Sequence, residues 1–263
     1  MTHMSPANLW TSQWRPVRHN DSAPVLITGP MPPEREPNGL RLLDLFCCAG
    51  GASMGYHLAG FDVTGVDIVP QPNYPLRFHQ SDAIAFVREN GRDFDVIGAC
   101  PPCQADCTLS AGTNQGRGAH RSLLAETREA LLSTGRPWII ENPVGRARMR
   151  RDLLLCGLMF PGLKVFRHRQ FELHGLTVPQ PAHPGHAGHR VRGWRHGRFH
   201  EGDMVAVYGE GGGKGSITEW QSAMGIGWTD IRRELAEAIP PAYSHLIGRA
   251  ATACLTGVQR DAA

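Results

Sequence analysis

The sequence predicts an α/β fold: a doubly wound, mostly parallel sheet with helices on both faces. Three observations carry this. Apolar runs of strand length alternate with helix-length segments between residues 40 and 142, the pattern of a parallel sheet built from crossover units. The first such run ends in a small-residue turn, Cys48-Ala49-Gly50-Gly51-Ala52-Ser53, which opens a helix. The second run ends on an acid, Asp67, about 20 residues after that first strand, where nucleotide-binding sheets place a ribose ligand.

In chain order, residues 1–39 are rich in Pro, Asn and Ser and read as an irregular N-terminal extension, with Trp10 and Trp14 available to order part of it. Residues 40–46 read as a buried strand, 53–59 as a helix and 61–67 as the next strand. A helix is expected over 82–90, a strand over 94–99, a helix over 121–134 and a strand over 137–142. Residues 174–216, rich in His, Gly, Arg and Pro, break the pattern; a loop of that length is functional or disordered. Helical patches return at 218–224 and 229–238, and 242–254 reads as a final helix. The expected organisation is an extension over 1–39, a catalytic and cofactor-binding domain over 40–173, a small recognition segment over 174–216, and a helical segment over 217–263 that returns to the catalytic domain. No internal repeat is visible.

With 263 residues, 41% of them hydrophobic, the chain can bury one substantial core. No apolar run approaches the roughly 20 residues that span a bilayer, and the N-terminus lacks a signal-peptide core. A cytoplasmic protein without membrane contact is the expectation. The net charge of +3 says less than its make-up: of 27 basic residues only Lys164 and Lys214 are lysines, leaving 25 arginines. Arginine forks suit phosphates and guanine edges, although a GC-rich genome produces the same bias. Residues 146–151 and 190–198 are basic clusters, the second interleaved with Trp194.

Seven cysteines, at 47, 48, 100, 103, 107, 156 and 254, form an odd set that argues against a disulfide framework. Cys100 and Cys103 flank two prolines directly after a strand. Three readings of that spacing stand open: half of a zinc site, a redox pair, or a single nucleophile at Cys103 with Cys100 as a strand-end neighbour. His183, His186 and His189 are spaced by three in a Pro/Gly-rich stretch, which matches no usual ligand pattern, so no metal is expected. In the stretch Asp44-Leu45-Phe46-Cys47-Cys48-Ala49-Gly50-Gly51, small residues at a strand-to-helix turn admit a ligand to the backbone, and a helix N-terminus favours an anion. That pattern fits NAD, FAD or S-adenosylmethionine. Asp67 reads as a ribose ligand or a plain helix cap.

These motifs together resemble the DNA cytosine-5 methyltransferase family, in its compact, phage-type form. Asp44 to Gly51 resembles that family's D-L-F-x-G-x-G-G motif, with Gly55, Ala59, Gly60 and Phe61 as its tail. Pro102-Cys103-Gln104 matches the catalytic PCQ, Glu141-Asn142-Pro143-Val144 resembles the E-N-V motif, and Arg167-His168-Arg169 resembles the late R-x-R motif. Residues 223–248 resemble the C-terminal segment of compact members, and all matches fall in the family's order.

The resemblance implies a Rossmann-like class I methyltransferase fold and methyl transfer from S-adenosylmethionine to C5 of a flipped cytosine in double-stranded DNA, by a monomer. It assigns Cys103 as nucleophile, Glu141 as proton partner of cytosine N3, Arg169 as donor to O2, Arg167 as a residue that orients the turn or grips a phosphate, and Asn142 as the brace of the local turn. It places Asp44, Phe46, Ala49, Gly50, Gly51, Asp67, Asp82 and Pro102 around the cofactor, with Phe46 packed on adenine and Asp67 on the ribose. Asp82 equally reads as a helix N-cap, and the two roles are compatible. The glycine-rich stretch 105–121 resembles the loop that closes over DNA. Gln104, Arg117, Arg121, Arg190, Arg192, Arg195 and Arg198 are the implied DNA contacts.

Cys48 departs from the family by replacing its first glycine, and Pro143 stands where valine is common. A non-catalytic DNA- or cofactor-binding relative, and a scaffold that transfers another group or acts on RNA, are the competing expectations.

Overall fold

The computed structural model describes residues 35–102, 122–145, 147–209 and 215–257. Cys103, Gln104, Arg117 and Arg121, with most of the N-terminal extension, lie outside the described residues, as does the side chain of Arg195.

Seven strands form one sheet: β1 (Arg41–Leu45), β2 (Asp62–Asp67), β3 (Arg77–Gln80), β4 (Val96–Ala99), β5 (Trp138–Pro143), β6 (Leu153–Leu155) and β7 (Arg169–His174), in the order β3-β2-β1-β4-β5-β7-β6. The first five run parallel, while β7 is antiparallel to both of its neighbours. Successive residues of a strand face opposite sides of a sheet. Leu42 therefore joins one core, with Val63, Val96, Ile139 and Phe171, and Leu43 joins the other, with Val66, Ile97 and Ile140. Both faces are apolar, so both need cover. The helices α1 (Gly51–Leu58) and α6 (Pro241–Thr256) supply Tyr56, Tyr243 and Ile247 to the first core; α2 (Ala83–Asn90) and α3 (Leu124–Thr134) supply Ile84, Val87 and Leu131 to the second. The result is a Rossmann-like doubly wound α/β fold, as the alternation of runs predicts.

Helix α6 lies tight against α1. A Cβ on Gly55 would come within 2.1 Å of the Pro241 carbonyl oxygen and of Ser244 Oγ, and one on Gly248 within 2.7 Å of Ala59 Cβ. Two further helices, α4 (Ile217–Met224) and α5 (Arg232–Glu237), build a third apolar cluster with Met54 of α1, Val165, Val205, Val207, Trp220 and Trp228. A capping box between Ser216 and Glu219 starts α4, and Gly257 in the left-handed region ends α6.

The expected strands and helices are all present, with ends shifted by one to three residues. Three sheet strands were not expected: β3, β6 and β7. β3 is a polar edge strand with the sequence Arg-Phe-His-Gln. β7 buries Gln170 and Glu172, which break the apolar pattern. Glu172 is tolerated there because Arg128 grips it with two hydrogen bonds, at 2.9 and 2.8 Å. Nor is 174–216 wholly irregular: β8 (Gly193–Arg195) and β9 (Arg198–His200) form a hairpin, and Met204 to Val207 is buried. No helix of the described residues is long and apolar enough to cross a membrane.

Candidate active site

Parallel pairing brings the C-terminal ends of β1, β2, β4 and β5 to one edge. Leu45 is level with Val66 and Ala99, and Ala99 with Ile140. The residues that follow, Phe46, Asp67, Cys100 and Glu141, therefore share that edge. Because β7 runs the other way, its first residue, Arg169, lies opposite Pro143 at the end of β5. The antiparallel strand is what returns a late arginine to the edge where the parallel strands end.

The turn after β1 is tightly wound. Phe46, Cys48 and Gly50 all have positive φ, at 57°, 46° and 84°. Such a conformation costs a non-glycine residue of order 1 kcal/mol and persists only when its surroundings over-determine it. Here they do: Cys47 N–H donates to the Val66 carbonyl at 3.1 Å, Cys48 N–H to Asp67 Oδ2 at 3.0 Å, and Trp228 Nε1–H to the Ala49 carbonyl at 2.7 Å. Asp67 Oδ1 accepts Val69 N–H at 3.0 Å. Asp67 is thus no helix cap; it ties the ends of β1 and β2 together, and each oxygen keeps acceptor capacity.

The two glycines differ from expectation. A Cβ on Gly50 would meet Pro75 at 2.9 Å and the Tyr74 ring at 3.0 Å, and one on Gly51 the Ile239 carbonyl oxygen at 2.4 Å. Protein, rather than a ligand, fills the space that their missing side chains leave. Their small size serves the packing of Tyr74 and of the 238–239 segment against the turn.

Asp44 is fully buried. One oxygen accepts a short hydrogen bond from Ser53 Oγ, which in turn accepts the Tyr74 hydroxyl at 2.8 Å; Oδ1 has no partner among the described residues. Burial pushes the carboxyl up to about 7, against the hydrogen bond from Ser53. Burial also raises the thiols of Cys47 and Cys100, and that of Cys48 to about 12, so these three cysteines are thiols rather than thiolates at neutral pH.

Glu141 is buried at the end of β5, with Arg169 Nε 2.7 Å from its Oε1. That contact has ion-pair distance without hydrogen-bond alignment, since Oε1 has no hydrogen-bond partner among the described residues. Burial raises the Glu141 carboxyl, opposed by Arg169, Arg167 and a hydrogen bond with Cys100. Asn142 Nδ2 donates to the Pro101 carbonyl at 3.3 Å and so braces the turn that leads to Cys103. Pro102 is exposed at the last described position before that cysteine.

Arg167 spends its guanidinium on main-chain carbonyls: Val207 at 2.9 Å, Ala236 at 2.6 Å and Ala238 at 2.5 Å. Of the two roles implied for it, these bonds suit the orienting one. Asp82 caps α2 through Ala85 N–H at 2.8 Å. Among the recognition-segment arginines, Arg192 is paired with Glu219, while Arg190 and Arg198 are exposed.

Sequence reasoning missed a second cluster. Cys156, His168, His183 and His186 converge at the β6–β7 end of the sheet. Their ligand pattern is invisible in the sequence because the four residues come from three separate stretches. His189, grouped with two of them by spacing, instead faces Asp203.

No family model matches the chain, and no curated protein matches it. Solved structures that resemble part of it include an S-adenosylmethionine-dependent methyltransferase from Agrobacterium tumefaciens, 23% identical with a TM-score of 0.27, over 43% of this chain and 40% of that one. Another is a hypothetical protein of Thermus thermophilus, 19% identical with a TM-score of 0.29, over 51% of this chain and 73% of that one. The chain thus spans less than half the length of the first. Neither likeness carries weight for function.

Proposed function

We propose that this chain is an S-adenosylmethionine-dependent DNA cytosine-5 methyltransferase. The observation that carries the reading is the buried Glu141–Arg169 pair beside the 100–102 turn, at the same sheet edge as Asp44 and Asp67. Four motifs far apart in sequence resemble one family, and three of them meet there.

The residues fit the cofactor. Asp67 retains acceptor capacity for ribose hydroxyls, Asp44 holds one buried oxygen without a partner among the described residues, and half-buried Phe46 offers a ring. S-adenosylmethionine supplies an electrophilic methyl group when bound. The chain's own task is to make cytosine C5 nucleophilic. A Cys103 thiolate adding to C6 pushes electron density to C5 and charge to N3. Glu141, its carboxyl raised by burial, is suited to hold a proton at N3, and Arg169 to donate to O2. Asn142 and Arg167 act at one remove, holding the turns that carry Cys103 and Arg169. Burial keeps Cys47, Cys48 and Cys100 as thiols, so none of these three competes with Cys103 for the nucleophile's role.

The test is bisulfite sequencing of DNA from cells that express the chain, with a 5-fluorocytosine duplex as a trap for the covalent adduct. New C5 methylation and an adduct are expected with the parent and with Cys100→Ala, and neither with Cys103→Ala. Folded parent protein that binds DNA without either product would establish the non-catalytic alternative. Nucleoside mass spectrometry that finds another adduct, or modified RNA, would establish the other.

A further inference from the structure

The geometry points to a metal site: we propose that Cys156, His168, His183 and His186 bind one zinc ion. Cys156 directly follows β6 and His168 directly precedes β7. Those strands pair with Leu155 opposite Arg169, so one step further along the register sets Cys156 across from His168. The pairing continues past them, with Gly157 N–H donating to the Phe166 carbonyl at 2.8 Å. His183 and His186 arrive from the loop that follows β7.

The four candidate ligand atoms lie within 4.8 Å of one another. Tetrahedral zinc with bonds of about 2.3 Å to sulfur and about 2.05 Å to nitrogen needs S···N edges of about 3.6 Å and N···N edges of about 3.3 Å. Cys156 Sγ and His186 Nε2 are already 3.5 Å apart. The remaining edges close by no more than about 1.5 Å to reach those values.

The rings support this. The centroids of His168, His183 and His186 are 5.0 to 5.6 Å apart, and Phe166 stacks on His186 at 4.2 Å. The set contains no carboxylate to pair with an imidazolium. One existing bond must yield: Gly185 N–H donates to His183 Nδ1 at 2.9 Å. A metal at Nε2 needs the proton on Nδ1, and a metal at Nδ1 replaces the Gly185 donor, so the 183–185 turn relaxes in either case.

One thiolate and three imidazoles suit zinc better than harder ions, and four protein ligands leave no open position for a substrate water. The site is therefore structural. It staples the loop after β7 to the strand ends that hold Arg167 and Arg169, with His168 between those two arginines. Binding replaces the Cys156 thiol proton with the metal and releases that proton to solvent.

The full chain, stripped with a chelator and reloaded with zinc alone, is expected to retain about one zinc per chain by mass spectrometry. Cobalt in its place is expected to give the intense visible bands of tetrahedral geometry and a thiolate charge-transfer band. His183→Ala and His186→Ala remove exposed ligands, so their circular dichroism stays that of the parent. Each is expected to lose at least about tenfold in zinc affinity, since even outer-shell partners are worth that much. His189→Ala, outside the cluster, keeps parental affinity. Folded parent that retains no zinc, an octahedral cobalt spectrum, or unchanged affinity in both histidine variants would overturn the proposal.

Discussion

At the residue scale, Asp44 lies under strong electrostatic constraint. An acid at the end of a central strand, fully buried and with one oxygen unpartnered among the described residues, holds its proton up to about 7 against an ordinary value of 3.8. Between those two values the folded chain keeps a proton that the unfolded chain has released. Stability therefore falls as pH rises from about 4 to about 7, and stays low above that window. Asp44→Asn removes the charge while leaving an oxygen to accept from Ser53. It is expected to melt above the parent at pH 8, by at most about 4 kcal/mol in stability, with the gap shrinking as pH falls towards 4. Thermal melts across that range check this, and a gap independent of pH would refute the assignment. On the proposed function the same variant binds S-adenosylmethionine more weakly, so the acid is kept for the ligand at a cost to the fold. The place of Asp44 before the first turn was legible in the sequence, and that of Asp67 at the end of β2 from its distance along the chain. The tie from Asp67 to Cys48 N–H was not legible, because nothing in sequence says which amide a strand-end carboxylate will meet.

At the element scale, the helices and central strands were readable because their apolar spacing is local. β3 and β7 were not, since polar residues break their apolar pattern and the partner of Glu172, Arg128, lies far along the chain; β6 is three leucines, too short to show a period. The same distance in sequence hid the Cys156–His168 pairing, which exists only through the β6–β7 register. The glycines of the first turn were readable as glycines required by close approach, and among the described residues it is Tyr74 and Ile239 that approach. The α1–α6 contact makes this measurable. Gly55→Ala would set a Cβ 2.1 Å from both the Pro241 carbonyl oxygen and Ser244 Oγ and 2.7 Å from His245 N, and the first and last of these are backbone that cannot swing aside. Overpacking of this kind costs about 1–3 kcal/mol, more than alanine's helical preference of about 1 kcal/mol over glycine returns. Urea unfolding is expected to show Gly55→Ala destabilised by that difference or more. Gly135→Ala, with nothing within 4 Å of its Cβ, should lose only the strain of its φ of 66°, about 1 kcal/mol. No loss, or a gain, in Gly55→Ala would mean that the helices part to admit the methyl group.

At the scale of the whole molecule, the question is how a chain of only +3 would hold a polyanion. Net charge is a poor guide here because many arginines are consumed internally: Arg128 by Glu172, Arg167 by main-chain carbonyls, Arg192 by Glu219. Among the described residues, the hairpin side of the recognition segment is one place where cation remains exposed beside aromatic rings. There Arg198 is exposed on β9, next to the exposed Trp194–Phe199 ring pair, and Arg190 is exposed just before β8. If this surface takes DNA phosphates, each contact contributes nearly one unit to the slope of log affinity against log salt, independently of base sequence. Arg198→Ala and Arg190→Ala are therefore each expected to weaken binding to specific and non-specific duplexes alike and to flatten the salt slope by about one. Arg192→Ala should leave the slope nearly unchanged, because its guanidinium already faces a carboxylate, and should act instead on the seating of the segment against α4. Fluorescence anisotropy with labelled duplex at a series of salt concentrations separates these outcomes. An unchanged slope in both exposed-arginine variants would move the DNA-binding surface away from the hairpin, whereas a slope lost only in Arg192→Ala would mean that the Glu219 pair opens when DNA binds.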